Sequence, residues 1–285
     1  MKALNSTLQQ WIRIEGMDLV LRLTLLLLLL QPLGNWRVRG IVLAIAAAGL
    51  LVPALQRQPA LWLSLTFLTA WRLFLEWPVS DNHSYLLCYW CLAIFIALRR
   101  EDGTSLLAVS SRVLIGLVFA FATLWKLALS PDYLDGTFFR VTLILDDRFE
   151  FWTLLLGGMT PDLLESHRAY LSQHVDGVLF QPLEHPAEPA SFTRLARAAT
   201  LWTVAIEGVV AIAFLWPWEK GPAQLRNALL LIFCATTFAF APVAGFGWLL
   251  VILGIAQCAA ENHRTRWLYL CVFALILLYR ELAPG

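Results

Sequence analysis

Lys126 is the only ionisable side chain between Val113 and Leu129, within the stretch Ser111 to Gly136, SRVLIGLVFAFATLWKLALSPDYLDG. A charge inside an apolar run of membrane length is expensive, and where one is kept it marks a candidate functional site. Two readings stand side by side. Ser130 and Pro131 follow about one helical turn later, so the long stem can lift the ammonium to the interface. Alternatively the amine stays inside and handles a proton. Glu207, in Val204-Ala205-Ile206-Glu207-Gly208, lies too deep in its own run to reach water. It is expected to be protonated or paired with Arg22, Arg72, Arg112 or Lys126. Gly208 beside it lets another helix come close. His83 belongs to Asp81-Asn82-His83-Ser84-Tyr85, which opens a further apolar run. Asp81 or Asn82 suits the cap of that helix. The dipole there favours a neutral imidazole able to accept or relay a proton.

Other combinations are weaker. Cys88-Tyr89-Trp90-Cys91 puts two thiols on one helix face, as a dithiol couple facing a membrane quinone would require. Cysteine is also simply a small apolar side chain that packs well. Arg72 and Glu76 are four residues apart and suit a local ion pair. His167, His174 and His185 share a segment with acids but lack the spacing of a metal site, so no metal is expected. No Gly-rich phosphate loop, no G-x-S-x-G elbow and no matched pair of broken helices occurs.

The elements that must position these residues are membrane helices. Apolar residues make up 59 % of the chain and charged residues 14 %, with a mean hydropathy of +0.68, which places it among integral membrane proteins. The start of the chain carries Arg13, Glu15 and Arg22 and no small-residue cleavage site, so a retained first span is expected. All five cysteines sit in apolar runs, outside any secreted-type disulfide framework. Apolar runs bounded by charges, Pro or Gly give about nine candidate spans. They are 19–33, 40–55, 61–77, 84–98, 105–129, 195–216, 224–240, 243–258 and 267–278. Two of the shortest also suit a single re-entrant unit. The fold class expected is an all-α, polytopic integral membrane helix bundle with an amphipathic outer segment, one domain over residues 1–285 with an insert at 130–191.

Alternate connections carry Lys2 and Arg13, Arg57, Arg99 and Arg100, Lys220 and Arg226, then Arg264 and Arg266. The opposite set is acidic, and 130–191 holds ten Asp and Glu against three Arg. Lys and Arg collect on the cytoplasmic side, so the N-terminus is read as inside and the C-terminus and acidic insert as extracytoplasmic (an inner membrane in a bacterium). Arg37 and Arg39 run against this scheme. Trp11, Trp36, Trp77, Trp216, Trp218 and Trp267 fall at span ends, where interfacial belts form. Within the insert, Thr160-Pro161-Asp162 predicts a helix start and Gly177 its stop. Leu163, Leu164, His167 and Leu171 share its face. That helix and the patch 149–156 are expected to lie flat as a roof.

The motifs resemble one family. Asp81-Asn82-His83-Ser84-Tyr85-Leu86 is similar to the helix-opening Asn-His segment of the horizontally transferred transmembrane (HTTM) domain, shared with vitamin K-dependent gamma-carboxylase. Arg112 through Lys126-Leu127, then Tyr133-Leu134-Asp135-Gly136, resembles its arginine-started helix ending in Lys-Leu, followed by an aromatic and Gly. Glu207-Gly208 and the stretch from Phe233-Cys234-Ala235 to Phe246-Gly247 resemble its later spans, over roughly residues 15–260 in all. Departures are Ala122-Thr123 for an Ala-Gly, Trp125 before the lysine, and Phe233-Cys234 for a Phe-His. The resemblance implies Lys126 as a base taking a proton from a vitamin K-like quinol, His83 as proton acceptor or orienter, and Glu207 as buried charge partner. An amine kept from water loses proton affinity and can act as a base near neutrality. The family's outer substrate-binding domain has no counterpart before Gly285, so a stand-alone glutamate carboxylase is not expected. Two further expectations are a non-catalytic membrane subunit or maturation partner, binding a protein or peptide through its outer segment, and a thiol–quinone oxidoreductase using Cys88 and Cys91. Partners expected in any case are the lipid bilayer and no nucleic acid.

Overall fold

A computed structural model describes residues 16–31, 35–78, 80, 82–175, 187–217, 223–240, 243–259 and 262–282. Among them every regular element is helical. In order these are α1 (Gly16–Leu30), α2 (Trp36–Leu51), α3 (Pro53–Gln56), α4 (Pro59–Leu75), α5 (Asn82–Ala97) and α6 (Gly103–Ala128). Then follow α7 (Pro131–Leu134), α8 (Thr137–Leu145), a 3-10 turn (Asp147–Phe149), α9 (Glu150–Leu155) and α10 (Pro161–Val175). The chain continues through α11 (Ala190–Leu215), α12 (Ala223–Phe240), α13 (Ala244–Gln257) and α14 (His263–Leu282).

Each apolar run of the sequence coincides with a helix, though the expectation of about nine spans is met only in part. By length and composition α6, α11 and α12 can cross a membrane, while α4, α13 and most of α5 are shorter apolar helices. Proline accounts for one shifted boundary. Pro53 forces Val52 into an extended conformation (φ −117°, ψ 92°), so the predicted run 40–55 breaks into α2 and the single turn α3. Gln56 ends that turn and is buried. Its amide donates to the Gly49 carbonyl at 2.9 Å and its own carbonyl accepts from Trp62 Nε1 at 2.8 Å.

The core is organised around α13. Every residue from Gly247 to Ile255 is buried, as a helix apolar all round requires. It packs against α1, α6 and α14 most extensively, and also against α5 and α12. α2 and α4 lie outside α1 and α5, while α11 runs along α6. Large apolar side chains cover the outer surface, Phe67, Phe74 and Phe121 among them, a surface suited to lipid. Trp36, Trp77, Trp216 and Trp267 are exposed at helix ends, whereas Trp11 and Trp218 lie outside the described residues.

The insert forms a second small core. Tyr133, Phe139, Leu143, Ile144, Phe149, Met159 and Leu164 pack with Phe192 and Ala196 of α11. Thr160 Oγ1 accepts from the Leu163 N–H at 3.3 Å and starts α10 as the sequence predicts, with Leu164 and His167 buried on its inner face. Gly177 lies outside the described residues. α8, Thr-Phe-Phe-Arg-Val-Thr-Leu-Ile-Leu, is a helix that the sequence pattern does not predict.

Candidate functional site

Lys126 sits in the last turn of α6, which ends where Ser130 and Pro131 follow. Its ammonium turns inward. Nζ lies 2.5 Å from both carboxylate oxygens of Glu207 on α11, and the two side chains are only 16 % and 10 % exposed. Of the four cations considered for Glu207, the structure selects Lys126. Arg72 pairs instead with Glu76 at 2.9 Å, and Arg22 Nε donates to Gln56 Oε1 at 3.4 Å. Snorkelling away from the bundle is thereby replaced by a bidentate, charge-assisted contact across two helices.

The chain beyond α6 closes over this pair. Pro131 begins α7, and Gly136, in the left-handed region at φ 87°, redirects the backbone into α8. Tyr133 is thereby held with its ring 5.0 Å from Lys126 Nζ, a cation–π contact. Its hydroxyl is 2.7 Å from Thr203 Oγ1 on α11. Burial pushes the Tyr133 phenol well above its usual range, so it remains a neutral hydroxyl. Gly208 meets α6 only at ordinary distance, since a Cβ there would lie 3.6 Å from Thr123. The tight approach of the two helices is at Gly116, whose added Cβ would fall 2.6 Å from Leu215.

Lys126, Glu207 and His83 line one cavity of about 490 Å³. His83 is half-buried in the first turn of α5, its ring 6.4 Å from that of Phe246 at the start of α13. The other walls are apolar or aromatic, from Leu86 and Tyr89 on α5 to Leu117, Phe121 and Trp125 on α6. Leu117, Phe121 and Trp125, at i, i+4 and i+8, are 38 %, 65 % and 60 % exposed. They form the outward rim, so the cavity opens sideways through a lipid-type surface rather than only toward one end. An apolar chamber of this size with a few convergent polar groups suits a small amphiphile.

Other candidates are not brought to this place. Cys91 is fully buried in the main core, and Cys88 Sγ points at the Thr66 carbonyl, 3.7 Å away. Both are free thiols, but Cys91 lacks the access that exchange needs. His167 is in the insert core, while His185 and the His174 side chain lie outside the description, as does Asp81. No group of three His, Cys, Asp or Glu among the described residues could hold a metal ion. Thr203 carried no sequence signal, and the motif that contains Trp125 and Tyr133 did not reveal one as cavity wall and the other as lid. Comparison of the chain with family models, with curated proteins and with solved structures found no match.

Proposed function

We propose that this chain is a gamma-carboxylase-like membrane enzyme of the HTTM kind. It crosses the bilayer about nine times with the N-terminus cytoplasmic, and works at the outer leaflet on a lipid-soluble quinol to modify a protein or small-molecule substrate. One observation carries the reading: a buried Lys126–Glu207 pair in the wall of a sideways-opening apolar cavity that also contains His83.

The residues present fit such a cofactor. Phe121, Trp125 and Tyr89 offer aromatic faces to a ring and an apolar route to a prenyl tail, and the charged pair offers a hydrogen-bonding end. A quinol there would supply an ionisable hydroxyl and reducing electrons. Lys126 Nζ touches both carboxylate oxygens of Glu207, so the proton-accepting group is the pair. A proton arriving at Glu207 Oε1 or Oε2 leaves Lys126 Nζ free to orient the resulting anion. His83, on the other wall, is placed to hold or pass a second proton. The aromatic rim and Tyr133 lid keep water from the pair, which strengthens its hold on an ionised ligand.

The test is an organic extract of the purified protein analysed for quinones by mass spectrometry. A quinone recovered from the wild type and lost from a Lys126→Met, Glu207→Leu double variant supports the reading; its absence from a wild type that still carries phospholipid contradicts it. A second reading, a non-catalytic subunit that binds a protein or peptide, draws on exposed Phe138, Phe151, Leu155 and Leu156 in the outer insert. It predicts that the same double variant keeps full function in cells.

A further inference from the structure

The N-terminal half of α6 and the first turn of α12 each carry a cation that the chemistry above does not use. Arg112 lies about 21 Å along the helix from Lys126, at a rise of about 1.5 Å per residue. Arg226 stands in the first turn of α12. Both are half-buried, and the Nε of each is sealed from solvent without a hydrogen-bond partner. Phe119 of α6 packs edge-on against Phe233 of α12 with ring centroids 4.6 Å apart, and Arg112 and Arg226 each stand about two turns before those rings on their own helices, which brings the two like charges toward one place. Among the described residues no carboxylate neutralises either: the ion pairs engage Arg57, Arg72, Lys126, Arg140, Arg148 and Arg168 instead.

Like charges held together at the edge of an apolar bundle, each with a buried donor unused, are destabilising unless an anion joins them. The guanidinium fork matches phosphate oxygens in geometry and charge. The opening N–H groups of α12 have no acceptor within their own helix and add positive partial charge at the same place. The Lys and Arg pattern of the short loops puts this end on the cytoplasmic side, where anionic headgroups concentrate. We propose that Arg112 and Arg226 form a phosphate-binding site shared by α6 and α12, which takes the phosphodiester of an anionic membrane lipid or a soluble phosphate of the same chemistry.

Tryptophan-fluorescence melting of the full chain tests this. The protein is placed in phosphatidylcholine nanodiscs, with phosphatidylglycerol titrated into the lipid in one arm and inorganic phosphate into the buffer in the other. One arm raises the wild-type melting temperature, and Arg112→Gln or Arg226→Gln moves the half-point about tenfold higher. The Lys variants, which keep the charge and lose the fork, fall between. Arg100→Gln and Arg264→Gln, exposed cations on the same side, leave the response unchanged. A response to phosphatidylglycerol alone assigns the site to lipid, and one to phosphate alone assigns it to a soluble anion. If neither arm shifts the wild type, or if the control variants lose as much as the Arg112 and Arg226 variants, the site does not exist. Native mass spectrometry of the wild type needs no variant to fold. A retained anion or lipid supports the site, and a wild type that carries neither overturns it.

Discussion

Lys126 and Glu207 stabilise each other only as a couple. Removing one partner of a buried ion pair strands the other charge, so Lys126→Met alone is expected to lower stability by about 3 kcal/mol. Adding Glu207→Leu restores most of that loss, because apolar replacement of both partners removes the desolvation cost as well. Thermal unfolding of the two variants measures the difference, and a double variant no more stable than the single one refutes the coupling. Tyr133→Phe separates the two roles of the lid. It loses the hydrogen bond to Thr203, about 1 kcal/mol, and keeps the ring beneath Lys126. Tyr133→Leu loses the cation–π contact too, so it falls further in the same unfolding measurement, and equal losses would show that the ring contributes nothing.

At the scale of elements, the close packing of helices sets which glycines tolerate a side chain. A Cβ at Gly254 would meet the buried ring of Tyr269 at 2.6 Å, whereas nothing lies within 4 Å of one at Gly40. Gly254→Ala therefore costs about 1–3 kcal/mol through overpacking of α13 against α14, and Gly40→Ala gains about 0.5–1 kcal/mol of helix propensity. Melting temperatures moving in the same direction would contradict that account. The insert 130–191 is expected to respond to acid. Arg148 donates to Asp146 and holds its carboxyl below the usual range. A depressed folded value means that the contribution is present above the unfolded pKa, about 3.9, and is lost as pH falls through the folded one. Fluorescence of Trp152, stacked 4.6 Å from Phe240, is expected to report loosening below about pH 4, and Asp146→Asn to remove that acid-dependent part. An identical acid response in Asp146→Asn would assign the loosening elsewhere.

These elements are unevenly legible in the sequence. Helix starts with a chemical cause, such as Thr160-Pro161-Asp162, stand where the residues place them. α8 is hidden, because Thr137–Leu145 is too short for a span and too rich in β-branched and aromatic residues for a surface helix. It is stabilised by Phe139 and Leu143 in the insert core, a tertiary effect that overrides local propensity.

For the whole molecule, hydropathy marks where the helices run but not which one is central. α13 reads as another short apolar run, and only packing shows that its neighbours surround it. The same holds for the site. Composition isolates Lys126, Glu207 and His83 as costly residues, yet four cations have equal claims on Glu207 until α6 and α11 are brought side by side. Sidedness is an expectation from charge in the loops and is open to labelling. Cysteine placed at Asp147, which is 84 % exposed, is expected to react with an impermeant maleimide added outside intact cells. Cysteine at exposed Glu101 is expected to react only after permeabilisation, and the reverse pattern would invert the topology.

The proton-accepting role proposed for the buried pair is tested most directly by a difference spectrum. A short-chain naphthohydroquinone is added anaerobically, at neutral pH, to the wild type and to the Lys126→Met, Glu207→Leu variant. The account predicts the absorption band of the ionised quinol with the wild type and its absence from the variant. An un-ionised quinol spectrum with both proteins, or an ionised one with both, contradicts it.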